Sequence, residues 1–278
     1  ALSLLGESST NITVKPSIVG EIKGTMLQAM MYRWAETKKD WDVVRKLSDD
    51  LLEIFPLQQD RNRQLQYRSQ LEAYANDMDK ARTYLALALG MKYQDDAELC
   101  GKVLERGSSF ELLHFLRVWY MEIARNMVRG KEFYDTWSAV RQKYLLNYEK
   151  MMRTDTYPVH TILRYLMVIY YAAGTGGAVE KAGEYYNRAV ELCRKDGDHV
   201  TLLTLAMGIM ADRASMLVRA GKEKEAGKAR DQLLNRAEDI HQQVKGTRVA
   251  THVRSSIEAY EHTGIEDWLG KLWYLYPQ

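Results

Sequence analysis

Six histidines, His114, His160, His199, His241, His252 and His262, carry most of the capacity of this sequence for acid–base or metal chemistry. Their spacing decides whether they can act together. None falls in an HExxH pair or in a Cys/His metal spacing, and they are spread over different predicted elements, so each is expected to be a surface or packing histidine. The stretch "AAGTGGAVEKA" has the glycines of a phosphate loop but no GxxxxGK followed by Ser or Thr, and no strand before it. Gly174, Gly176 and Gly177 therefore read as an interhelical turn. "RKDGDH" looks like a piece of a calcium loop, yet it lacks the third ligand position and the closing Glu. No GxSxG and no kinase motif set is present. The triplet "NIT" at Asn11 is a glycosylation acceptor pattern with nothing else in the sequence to suggest secretion. The expectation is no catalytic residue, no metal and no cofactor: the chain is not read as an enzyme.

The work must then be done by surfaces, and the composition says which kind. The chain has 278 residues, 46% hydrophobic and 27% charged, with a net charge of +2. That balance lacks the cationic excess of a nucleic-acid binder, and no apolar run reaches the roughly 18 residues of a membrane span. Cys100 and Cys193 stand far apart in no CxxC pair, which fits two buried thiols in a reducing, intracellular compartment, cytoplasmic or nuclear. The chain starts at Ala1 without the basic start and apolar core of a signal peptide, and it is read as part of something larger.

Only four prolines interrupt it, so helix is expected throughout. Ser108 with Glu111 and Thr263 with Glu266 have capping-box spacing. Gly24, Gly130, Gly221 and Gly264 fall at breaks between apolar-periodic segments, where a left-handed residue closes a helix.

One pattern recurs along these helices. Ala182, Tyr186 and Ala189 place a small residue, a bulky one four later and a small one three beyond, after Tyr170 and Ala173 on the preceding segment. Ala81, Leu85 and Ala88 repeat it after Leu65 and Ser69. Ala226 and Leu233 follow Gly221, behind Met210, Ala214 and Leu217. Thr136 and Val140 follow Tyr120, Ala124 and Met127 in a weaker copy. Trp41 stands 15 residues before Pro56, with Val44 and Ser48 in the equivalent places.

These positions resemble the tetratricopeptide-repeat family over residues 22–236, in about five units. The resemblance implies an all-α fold, an α-solenoid of stacked antiparallel helix pairs in a right-handed superhelix. Equivalent positions 44, 81, 136, 182 and 226 are spaced by 37, 55, 46 and 44 residues, above the family period of about 34. Longer helices or insertions are therefore expected, above all in "GMKYQDDAELCGKVLERGSS". Residues 1–21 are read as an N-terminal extension and 237–278 as C-terminal capping helices, with Val249, Val253, Ile257 and Tyr260 on one face of the first. The last of these helices, with Trp268 and Trp273, is either a cap or a docking helix for a partner.

The family's groove positions, carried onto this sequence, are Arg33, Arg63, Gln66, Gln70, Met121, Arg125, Arg129, Arg164, Met167, Tyr171 and Arg219. Arginines in such a concave groove imply an acidic peptide or a chain terminus as ligand, because the guanidinium fork grips carboxylates in two-pronged fashion. The alternative is that these arginines pair with Asp and Glu of adjacent units. Ala29 and Arg33 stand where the chaperone-tail carboxylate clamp has Lys and Asn, so that ligand is not expected. The expected function is a protein–protein interaction module or scaffold subunit. The alternative is the peptide- or ligand-sensing effector domain of a bacterial transcription regulator.

Overall fold

A computed structural model describes residues 41–54, 58–126, 129–153, 157–195 and 200–243. Among them there are eleven α-helices and no strand. The chain divides into two compact units at Gln64/Leu65.

The first unit contains α1 (Trp41–Ile54) and the opening turns of α2 (Gln58–Tyr74). Val44, Leu47, Ser48 and Leu51 recur at helical spacing on one face of α1 and all four are buried. Val44 and Ser48, expected to replace the Ala and bulky residue of the pattern, are thus interior.

The second unit begins with the rest of α2 and continues through α3 (Met78–Ala88), α4 (Asp96–Arg106), α5 (Ser109–Asn126), α6 (Gly130–Lys143) and α7 (Leu145–Met152). It ends with α8 (Tyr157–Ala173), α9 (Gly176–Lys195), α10 (Val200–Arg219) and α11 (Glu223–Gln243). Two tight hairpins, α8–α9 and α10–α11, pack side by side, and α10 also lies against both α8 and α9. The wide spacings of the pattern have two separate origins. Single helices, α4 and α7, follow α3 and α6, and α4 occupies the stretch where an insertion is expected. Farther along, the helices themselves are long: α9, α10 and α11 have 20, 20 and 21 residues. The last of them runs past residue 236 to Gln243, so the boundary expected there falls inside a helix.

Local chemistry accounts for the breaks. The Asp77 and Asp95 carboxylates accept from the free backbone N–H groups of Lys80 and Glu98, opening α3 and α4, and Ser108 Oγ accepts from Glu111 N at 3.4 Å. At Gly221, with φ +69°, the Lys222 N–H reaches back to Leu217 O at 2.9 Å, a left-handed closure that needs no Cβ. Gly130 differs from the expectation that it closes a helix. It opens α6, and a Cβ built on it would stand 2.5 Å from the Ala172 Cβ, so its missing side chain admits α8. Gly24, Gly264, Thr263 and Glu266 lie outside the described residues.

Small residues of the pattern are buried. Ala81, Ala182 and Ala189 are wholly buried, Ala226 nearly so, and Ser69 Oγ donates to Ala81 O at 2.6 Å. Between α5, α6, α7, α8 and α9 runs an aromatic core. Trp119 lies 4.2 Å from Phe133, Trp137 meets Tyr148 edge-on at 5.6 Å, and Tyr170 meets Tyr185 edge-on at 5.1 Å. Cys100 and Cys193 are buried and form no disulfide.

Candidate functional site: a polar cleft between α9, α10 and α11

Several of the residues expected to line a common groove are buried inside the second unit. Met121, Met167 and Tyr171 are buried in the aromatic core of the second unit, because the α8 face that bears the last two is covered by its neighbours. Gln66 is also buried, and Gln70 spends its amide on the Tyr74 hydroxyl at 3.0 Å. Arg63 is exposed on α2 in the first unit, and Arg219 is half-buried at the end of α10. Arg33, Trp268 and Trp273 lie outside the described residues, as does the side chain of Arg125.

Arg164 and Arg129 take the other course open to them and pair within the fold. Arg164 Nε lies 2.5 Å from Asp212 Oδ2, and the Tyr120 hydroxyl donates to the same carboxylate at 2.9 Å. Arg164 also passes over the Tyr120 ring at 5.6 Å, so three helices meet on one neutralised charge. Arg129 reaches Asp96, Glu122 and Glu132, and the first two carboxylates are shared with buried Arg82. Trp119 carries both guanidinium groups, at 4.6 Å from Arg82 and 4.9 Å from Arg129. Burial raises the pKa of Asp96 against the pull of both arginines, and burial together with Asp96 pushes the Tyr93 hydroxyl up to about 12. Both networks cross-link helices and leave little charge for a ligand.

The histidines divide in the same manner. His114 and His160 are buried, as packing residues would be, and His114 is held neutral by burial and by Arg117 nearby, its pKa well below the ordinary value. His199, His252 and His262 lie outside the described residues, as does the side chain of His241. Among the described residues no three His, Cys, Asp or Glu gather as a metal site, and no helix is long and apolar enough to cross a membrane. Gly174, with φ +72°, makes the α8–α9 turn, and Gly176 and Gly177 open α9.

Among the described residues of the second unit, a cleft of about 700 Å³ opens between α9, α10 and α11. Four neighbouring positions on α9 line it, Tyr186, Asn187, Val190 and Glu191. α10 gives Met210 and Arg213, and α11 gives Gln232, Asn235, Arg236 and Asp239 at helical spacing. Tyr186, Val190 and Met210 are buried and form an apolar floor, whereas Asn187, Glu191, Gln232, Asn235 and Asp239 are exposed walls.

Arg213 sits where floor and wall meet. Its guanidinium lies over the Tyr186 ring at 4.2 Å, and no carboxylate among the described residues is within ion-pair distance of it. Its Nε has no acceptor there either. Burial opposes its charge, but the hydroxyls of Tyr171 and Tyr186 outweigh that and hold it cationic. Arg236, by contrast, has Asp239 at 3.9 Å. The cleft thus combines amide donors and acceptors, an apolar base and, in Arg213, a cation with no anion of its own among the described residues.

Sequence reasoning missed these residues. Gln232, Asn235, Arg236 and Asp239 do form a polar stripe at i, i+3, i+4, i+7, but such a stripe reads as an ordinary solvated face until α9 is set opposite it. Comparison with family models, with curated proteins and with solved structures finds no match.

Proposed function

We propose that this chain is an interaction module, a subunit or scaffold, that holds a segment of a partner protein in the α9–α10–α11 cleft. The observation that carries the reading is Arg213, a half-buried cation with no carboxylate partner among the described residues, at the base of an open cleft walled by the amides of Asn187, Gln232 and Asn235. Primary amides both donate and accept, which is what a peptide backbone requires of its surroundings. Stacking of the helix hairpins into a divergent tetratricopeptide-like solenoid, closed by C-terminal helices, belongs to the same reading. It is supported by the buried alanines at the recurring positions. An intracellular setting is supported by two buried cysteines that form no disulfide.

A second reading rests on the size of the cleft. About 700 Å³ lies within the range of roughly 300–1,000 Å³ typical of small-molecule sites, as a ligand-sensing effector domain would need.

Filling the cleft tests the first reading. Asn187→Trp and Gln232→Trp should each abolish recovery of the partner that the wild-type chain brings down from native extract, while Lys131→Trp on the exposed face of α6 should recover it unchanged. Equal recovery by all three variants would remove the cleft as the binding face.

A further inference from the structure

We infer that Arg213 is the receptor for a single carboxylate on an extended partner segment, whose backbone is held by Asn187, Gln232 and Asn235. This rests on the peptide-binding reading of the same cleft and adds what the cleft selects.

The contrast with other arginines of the unit is the starting point. Arg68, Arg82, Arg129 and Arg164 each have a carboxylate within ion-pair distance. Arg213 has an aromatic face and two hydroxyls instead. Arg141 resembles it, lying over Tyr148 at 5.3 Å, but does not line this cleft. A guanidinium stacked on a ring is already fixed in orientation and partly stripped of water, so a carboxylate reaching it gains a charge-assisted bond at low ordering cost.

The dimensions set the length of the segment. On α11 the lining runs from Gln232 to Asp239, two helical turns or about 10 Å, which an extended chain covers in about three residues. Amides stand on both sides of that track, Asn187 on α9 and Gln232 and Asn235 on α11. Alternate residues of an extended segment point to opposite sides, so one side chain can enter over Val190 and Met210 toward Arg213 while its neighbours face out.

The walls then decide what the neighbours are. Glu191 and Asp239 flank the cleft, and since Arg236 already has Asp239 at 3.9 Å, a second acid in the segment would find no cation of its own and like charge at Glu191. The selected segment therefore has one Asp or Glu with neutral or basic residues beside it, which narrows the acidic peptide or chain terminus expected for an arginine-lined groove.

The test is selection of a displayed library of random heptapeptides, embedded in a carrier so that no free terminus takes part, on the full chain and on Arg213→Gln. The wild type should enrich sequences with one acidic position. A synthetic peptide of the enriched sequence should bind about tenfold or more weakly when its Asp or Glu is changed to Asn or Gln, the loss of one charge-assisted bond. Arg213→Gln should bind both peptides equally. Should it fail to fold by circular dichroism, Arg213→Lys takes its place, and there the discrimination should shrink as the fork is lost. Enriched peptides without an acid, or discrimination that persists in the substituted chain, would overturn the carboxylate assignment while leaving the peptide cleft standing. No enrichment at all would overturn both.

Discussion

Arg164 on α8 and Asp212 on α10 form an ion pair 2.5 Å long whose side chains are 5% and 0% exposed, 48 residues apart in sequence. At that depth the pair is a cross-link, and its value appears when one partner is removed. Asp212→Asn should cost about 3–5 kcal/mol in urea unfolding, since it strands a buried cation. Replacing both, Arg164→Met with Asp212→Leu, should cost clearly less. For the same reason Arg164→Glu should unfold the second unit, and it is not a clean probe of partner binding.

Gly130 and Gly227 make opposite predictions from the same substitution. A Cβ at Gly130 would stand 2.5 Å from the Ala172 Cβ and 2.9 Å from its backbone, so Gly130→Ala should force α6 and α8 apart and cost about 1–3 kcal/mol. At Gly227, within α11, a Cβ would meet nothing within 4 Å. Gly227→Ala should stabilise by about 0.5–1 kcal/mol through helix propensity alone. Paired thermal melts check both signs.

Ala182 on α9 has no exposed surface, and Ala182→Leu should overpack its surroundings at a cost of about 1–3 kcal/mol in the same assay. An unchanged melting temperature would mean that this position is not a tight helix contact.

His114 should make the protein acid-sensitive near neutrality. Burial first, then Arg117, holds the folded imidazole neutral well below its ordinary pKa of 6.5, while the unfolded chain takes up a proton below that value. Stability is therefore unaffected by this group well above pH 6.5 and falls as the pH drops below that value, because only the unfolded chain then takes up the proton. His114→Leu should remove that share of the slope. It should also relieve a buried Nε2 that has no hydrogen-bond partner among the described residues. Urea midpoints of both proteins at pH 7.5 and pH 5 measure the difference.

What could be read in the sequence was what is local. Ala81, Ala182, Ala189 and Ala226 are buried, as a small residue recurring at fixed short spacings on a helix leads one to expect, and those spacings are visible in one chain. The glycines paired with two of these alanines carried no such meaning. Gly183 and Gly227 face open space. The single helices α4 and α7 have no alanine pattern, so nothing set them apart from inserted loops. The arginines were harder still, because residue type cannot tell a groove from a core. Arg82 finds Glu122 40 residues on and Arg164 finds Asp212 48 residues on, and no local spacing announces either. The cleft was invisible for a related reason. Asn187 and Asn235 are ordinary surface residues until the α9–α10–α11 packing brings them to one opening.

The most direct test of the account is where a partner touches the chain. A benzophenone amino acid placed at Asn235, in the cleft, and separately at Leu146, the 81% exposed leucine of α7, offers two competing faces to the same native extract under light. The account predicts a discrete adduct from Asn235 that disappears when Gln232→Trp is added, and none from Leu146. An adduct from Leu146 alone, the same adducts from both positions, or an Asn235 adduct indifferent to Gln232→Trp would contradict it.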